Sequence, residues 1–411
     1  MTIFHLYLPL HNEAAVNKAS ASFIGEIEAA LGASFDFKGG DFSDYGTHEL
    51  EIIYVRTGGT EGLFKEVMDK INGPVRILTS GKSNSLAASL EILSYLNSKG
   101  MTGEIIHGSV EYIAERIGIL AKVEKARQKL AGSRLGVIGA PSDWLIASDA
   151  DKDAYAEKLG VTLVDIPISE LLEDYESAAA DKLTPEAESV LAAFEAKGAK
   201  ALDKYADGAF RIYKAIRRII ARHDLSGLTI RCFDLLDAIG NTGCLALAIL
   251  NAEGIPAGCE GDMPALMSMA IGNALTGCCG FQSNPSRIDP QTGELTLAHC
   301  TVPLNMVLGY DFNTHFESGI GIAICGEMPL GDVTIFKTSG DLSRNFCCEA
   351  ESLPHTFQSE LCRTQITMRL KGNGAERTAL CSEYFLKNPI GNHHIIFPGH
   401  LKALFDAFCL Y

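Results

Sequence analysis

Three histidines fall within ten positions, GNHHIIFPGH at 391–400, in a chain that holds eleven. His393 and His394 are neighbours and point to opposite sides if the backbone is extended, so at most one of them reaches any one cavity. His400 precedes an apolar helical run and suits a capping or packing role. Far upstream, in IPAGCEGDMPALMSMAIGNALTG (255–277), a short apolar strand ends on a carboxylate and a helix starts at once. Asp262 suits the N-cap of that helix and Pro264 its first turn. Glu260 is left without a structural duty, at the carboxyl end of a strand where open α/β sheets bind ligands. ELTLAHCTVP (294–303) puts His299 at the end of an alternating strand. Singly, each has an ordinary reading, the acid as a cap or salt-bridge partner and the histidine as a satisfied, partly buried side chain. Together, a carboxylate and one or two imidazoles from separate segments make a first shell for a hard or borderline divalent cation with positions open to substrate. Cys259 and Cys300 flank these residues, and strand alternation turns them away. That favours Mn²⁺ or Mg²⁺ held through oxygen and nitrogen over a zinc thiolate centre.

Two Gly-containing loops are further candidates. YVRTGGTEG (54–62) follows a strand and opens a helix, which aims free N–H groups at an anion or at sugar hydroxyls. Its plain reading is a turn capped by Thr60. GVIGAPSDW (136–144) is similar, with Ser142 or Asp143 available to cap a following helix.

The elements that must carry these residues follow from periodicity. FHLYLPL, ELEIIYV and PVRILTS read as strands, and the stretches after the first two carry the i, i+3, i+4 spacing of amphipathic helices. A second α/β unit starts at SRLGVIGAP and runs through a mostly helical span at 184–223 to LTIRCFDLL and IPAGCEGD. Beyond residue 280, GIGIAIC, DVTIFKTS and TQITMRL alternate with Gly, Asp, Asn and Pro, and long helical periodicity is absent until HLKALFDAFCL. The expected architecture is α/β at 1–132, a second α/β domain with a parallel sheet at 133–280, and a mostly antiparallel β-barrel at 281–411.

Composition narrows the partners. The 411 residues include 35 Lys+Arg against 51 Asp+Glu, a net charge of −16, with no basic stripe to neutralise successive phosphates, so nucleic acid is not expected. MTIFHLYLPLHNEAA lacks the basic leader of a secretory signal, and no run of 18 apolar residues offers a membrane span. The expectation is a soluble, cytoplasmic protein. All 12 cysteines lie between Cys232 and Cys409, without a C-x-x-C pair, and read as small buried hydrophobes in a reducing compartment.

These segments, in this order, resemble the fucose isomerase and arabinose isomerase superfamily. Glu260 stands ahead of ALTG (274–277), Asn392, His393, Gly399 and His400 match the fucose isomerase Asn-His and Gly-His pattern, and LTLAHC sets His299 where the arabinose isomerase branch has a ligand histidine. The resemblance implies two Rossmann-like domains and a C-terminal barrel. It also implies an aldose–ketose isomerase acting on a pentose or 6-deoxyhexose, and a homotrimer or homohexamer whose neighbouring subunit completes the pocket. Glu260, His299 and His393 would hold the metal, most simply Mn²⁺, with Glu260 also the proton-transfer base. Asn284, Asn392 and His394 would face the sugar. One position departs from the pattern: the family's second acid aligns with Asn284, which has no useful basicity. Asp289, in a turn-like IDPQTG, is its possible substitute, and a sugar-binding or regulatory member of the family is the alternative function.

Overall fold

The computed structural model describes residues 1–9, 13–71, 73–371 and 375–410. The chain divides into two compact units, Met1–Lys125 with Asp406–Tyr411, and Ala126–Phe405. The first holds five parallel strands, β1 (Thr2–Leu6), β2 (Asp36–Gly39), β3 (Glu51–Val55), β4 (Val75–Leu78) and β5 (Gly103–Ile106), in the order β2-β1-β3-β4-β5. Both faces are covered. Phe4, Ile53, Val55 and Ile77 belong to one apolar cluster, while Ile3, Ile52, Tyr54 and Leu78 belong to the other. The alternation of strand side chains thus explains why IIYV (52–55) runs without a charged residue: a parallel sheet buried on two faces has no polar side.

The second unit contains another parallel sheet, formed by β6 (Arg134–Ile138), β7 (Thr162–Ile166), β8 (Gly227–Ile230) and β9 (Ala257–Cys259) in the order β7-β6-β8-β9. After a first helix, Ile168–Ser177, the helical span at 184–223 is two helices, Pro185–Lys197 capped by Thr184 and Asp203–His223, broken after the left-handed Gly198. The same unit carries β10 (Phe281–Asp289), β11 (Glu294–His299), a ribbon of β12 (Gly309–Asn313) and β13 (Ala323–Glu327), then β14 (Gly331–Thr338), β15 (Asn345–Leu353), β16 (Thr364–Lys371) and β17 (His394–Pro398). Apart from the ribbon, these strands close into an antiparallel barrel, β10-β11-β16-β15-β14-β17. One apolar core, with Ile230 and Leu247 on the sheet side and Leu297, Ile335 and Ile396 in the barrel, joins the two layers. The helix Ala375–Lys387 departs from the expectation that long helical periodicity is absent between residue 280 and HLKALFDAFCL.

The fold is therefore α/β with two parallel sheets followed by a closed antiparallel barrel. Among the described residues no helix is long and apolar enough to cross a membrane.

Candidate metal centre

Glu260 comes directly after β9, whose edge is held by a side chain of the barrel. Gln282 on β10 accepts from the Cys259 N–H through Oε1 at 2.8 Å and donates to the Cys259 carbonyl through Nε2 at 3.3 Å, as a neighbouring strand would. The chain then turns sharply. Glu260 sits at φ +63°, a conformation that a residue with a Cβ rarely adopts and that concentrates at functional sites. Gly261 follows at φ +72°, where a Cβ would lie 2.3 Å from the Ala140 carbonyl oxygen. Asp262 ends the turn by accepting from the Ala265 N–H at 2.8 Å, which caps the buried helix Met263–Thr276.

The turn aims Glu260 at two imidazoles from the barrel. His299 is the last residue of β11, and His393 directly precedes β17. Glu260 Oε1 lies 3.8 Å from His299 Nε2 and 3.5 Å from His393 Nε2. Atoms bound to one ion at roughly 2.1 Å lie about 3.0–3.5 Å apart, so Glu260 stands at slightly more than that reach from each ring, but among the described residues the group whose ligand atoms all lie within 4.8 Å of one another does not include His393. The far nitrogens are both engaged: His393 Nδ1 meets Asp262 Oδ2 at 2.8 Å, and His299 Nδ1 meets Thr301 Oγ1 at 3.0 Å. A carboxylate that accepts from Nδ1 frees Nε2 to bind a cation once its own proton is displaced, as in metal-ligating histidines supported by an acid. The fully buried His393 Nε2 has no hydrogen-bond partner, and neither has the buried Oδ1 of Asn284. An unmet amide oxygen and a ring nitrogen without a partner, beside a carboxylate, are what a cation would satisfy once it displaces the ring proton.

Charge is distributed to match. Burial raises the Glu260 carboxyl, but the His299 and His393 rings outweigh it and hold the group well below the usual carboxylate range. For the completely buried Asp262, burial is likewise overcome, first by Lys337, whose Nζ is 3.3 Å from Oδ1, and then by His393. Burial disfavours the charged ring of His393, yet its bond to Asp262 and the Glu260 carboxylate 3.5 Å from Nε2 raise it to about 9.

A cavity of about 20 Å³ adjoins Glu260, lined also by Asn284, His299, His315, Glu317 and Phe233. That is room for a single ion or water, not for a sugar. His315 is buried, and burial followed by the neighbouring His299 lowers it to about 4, so its ring is neutral at ordinary pH. Cys244, Cys259, Cys300 and Cys362 line the cavity as well, against the expectation that Cys259 and Cys300 turn away. The reason is local: strand alternation stops at the left-handed Glu260 and at the end of β11, so neither cysteine is governed by it. Cys259, Glu260 and His299 can bring one ligand atom each within 4.8 Å of one another. The Cys259 thiol, however, meets Cys232 Sγ at 2.9 Å, and that contact together with burial keeps it protonated far above its ordinary range. Cys300 lines the same cavity and its contact with Cys362 lowers its thiol to about 6, so the lining offers oxygen, nitrogen and sulfur donors, and Glu260 with the imidazoles fits a divalent ion.

The remaining residues fall elsewhere. His394 is turned into the barrel wall, with Nδ1 on the Asn392 carbonyl at 2.9 Å, Nε2 on the Tyr384 hydroxyl at 2.9 Å and burial lowering it to about 3, so the structure does not bring it to the cavity. Asn392 is exposed and not among the cavity-lining residues, and His400 pairs with Asp332 at 2.6 Å on the surface. Asp289 closes its own turn by accepting from the Gln291 and Thr292 N–H groups. The 54–62 loop lies in the first unit, where Thr57, Gly58 and Gly59 line a cavity of about 430 Å³, and Thr60 precedes its helix without a side-chain cap bond. Ser142 and Asp143 do not cap a helix. Instead the Ser142 N–H donates to the Glu260 carbonyl at 2.9 Å, Asp143 pairs with Arg231, and Trp144 Nε1 donates to Glu260 Oε2 at 2.7 Å.

Asp262 beyond its cap, Lys337, His315 and Trp144 were not singled out by sequence. Of these only SDW carried a local signal, a polar turn ending in an aromatic residue.

Two curated proteins are similar to parts of this chain, and both are named sulfoquinovose isomerase. The one from Clostridium sp. (strain MSTE9) is 27% identical over 236 residues, 55% of this chain and 52% of that protein. The one from Alkalicoccus urumqiensis is 26% identical over 269 residues, 62% of this chain and 59% of that protein. The chain thus spans between half and three fifths of the length of the curated relatives it matches. No protein-family model matches it.

Proposed function

We propose that the chain is a divalent-metal-dependent aldose–ketose isomerase, working through an enediolate on a pentose or a 6-deoxyhexose. The observation that carries this reading is the convergence of Glu260 Oε1 with the Nε2 atoms of His299 and His393, the latter buried and unpartnered. The names of both relatives support the reaction class. Sulfoquinovose, the sugar in those names, is a 6-deoxyhexose with a sulfonate at C6, which makes it the first aldose to test.

Glu260, His299 and His393 would hold the ion, with the Asn284 amide oxygen beside them. When bound, a divalent cation supplies Lewis-acid polarisation of adjacent sugar oxygens. Glu260 is ionised throughout the physiological range, as a base must be, and its depressed pKa makes it a weak one. Glu260 would take the C2 proton and return it to C1, while the proton of the O2 hydroxyl passes to O1 as that oxygen becomes a hydroxyl. Asn284 can orient a hydroxyl through its amide but cannot share the proton transfer. We also propose a homotrimer or homohexamer bound to Mn²⁺ in its working form, because a cavity of about 20 Å³ leaves the walls of a sugar pocket to be supplied from outside this chain.

The decisive experiment pairs metal analysis of the purified protein with a screen of sulfoquinovose, pentoses and 6-deoxyhexoses for interconversion. We expect one divalent ion per chain and ketose formation that E260Q abolishes, a drop of about 10³-fold or more for loss of the base. E260Q turning over at the parent rate would reject the assignment. Asn284 in place of an acid favours one rival, a sugar-binding protein without turnover, which would show saturable binding and no ketose.

A further inference from the structure

We propose that Trp144 is a positioning residue for Glu260 and the aromatic wall against which the sugar lies. This rests on the metal-assisted reading above and extends it to a residue outside the ligand set. Trp144 is half exposed, at 53%, yet its one polar atom is fully committed: Nε1 donates to Glu260 Oε2 at 2.7 Å. Nothing in core packing demands an indole here. Leu145 next to it is buried and anchors the loop, while Trp144 presents its ring to solvent.

The loop is clamped where it meets Glu260. The Ser142 N–H donates to the Glu260 carbonyl, Arg231 donates to the Pro141 carbonyl and pairs with Asp143, and the Ala140 carbonyl lies against Gly261. A carboxylate on a Glu side chain has a broad, roughly two-fold terminal torsion and could offer either oxygen to either neighbour. The indole N–H removes that freedom, leaving Oε1 for the two imidazoles and Oε2 for the open side. The ring also continues the wall of the cavity, meeting Phe233 edge-on at 4.7 Å, and Phe233 meets His315 at 5.5 Å. An indole with its polar tip on a carboxylate and its face in solvent suits the C–H face of a carbohydrate, which is apolar on one side and hydroxylated at its rim.

The chain contains one tryptophan, so its emission reports Trp144 alone. W144F keeps an aromatic ring and loses the donor, and W144A loses both. Calorimetric titration of metal-free protein with Mn²⁺ should show W144F binding about tenfold or more weakly, the range expected for losing a hydrogen bond to a charged group. Its melting temperature should stay within about 2 °C of the parent, as for other exposed positions. In E260Q the parent emission spectrum should shift, because the charged acceptor is gone. With sulfoquinovose as substrate, W144F should lower kcat with KM nearly unchanged, and W144A should raise KM as well.

Equal Mn²⁺ affinity in the parent, W144F and W144A, or a tryptophan emission indifferent to E260Q, would overturn the proposal while leaving the metal centre standing. A parent chain that binds no Mn²⁺ would overturn the metal reading and this inference with it. Mn²⁺ binding without sugar turnover by the parent would sink the isomerase reading alone, with the affinity and emission comparisons still deciding the role of Trp144.

Discussion

Asp262 does three things with one carboxylate. It caps a helix through the Ala265 N–H, neutralises the buried Lys337, and orients His393. Asn at this position can keep the cap through its oxygen, but it removes the charge and turns the acceptor facing His393 Nδ1 into a donor. D262N should cost about 3 kcal/mol in urea unfolding, since Lys337 is left buried without its counter-charge. It should also lower the pKa of His393. In the metal-free parent that ring is raised from 6.5 to about 9, so its contribution to stability is complete below pH 6.5 and fades as pH rises through about 9. A cation must displace the same proton. Apparent Mn²⁺ affinity in the parent should therefore climb close to tenfold per pH unit between those limits, with about one proton released per ion. Calorimetry in two buffers of different ionisation enthalpy measures that proton, and D262N should flatten the climb.

The turn between β9 and the helix Met263–Thr276 sets the direction of Glu260, and its tolerance is small. G261A adds a methyl at φ +72° and 2.3 Å from a backbone oxygen, so both strain and overlap must be relieved. We expect a loss of about 2–4 kcal/mol together with loss of Mn²⁺ binding. G277A is the control: the same helix ends on Gly277 at φ +77° with nothing within 4 Å, and about 1 kcal/mol is expected without loss of binding. Urea unfolding and Mn²⁺ titration of both variants separate strain from displacement of Glu260. This turn also marks how far sequence could be read. The parallel strands and the cap at Asp262 were legible because each sits in a short pattern of strand, turn and helix, and Glu260 and His299 stood out as strand-end residues, whereas only the family resemblance separated His393 from its neighbour His394. The contacts that complete the centre were not legible. His393 meets Asp262 across 131 positions, Trp144 meets Glu260 across 116 and Lys337 meets Asp262 across 75, and no periodicity reports such pairs. The cysteines were misplaced for a related reason, since alternation was extended past the ends of the strands that justify it. The helix Ala375–Lys387 escaped because it interrupts a run of strand and turn signals.

For the molecule as a whole, a net charge of −16 disfavours polyanions and is compatible with binding a cation at an internal acid. The proposed assembly predicts a solution mass three or six times that of the chain by light scattering, and a monomer at micromolar concentration that still turns over sugar would refute it. The barrel carries a separate consequence. Its β10 and β17 are neighbours, with Ser283 opposite His394, although 111 positions separate them. On a ribosome, Glu260 and His299 emerge long before the last strand can close the ring and deliver His393. On the proposed ligand set, a nascent chain would hold only a partial set of donors, and capture of a wrong ion would be weak until the final strand has docked.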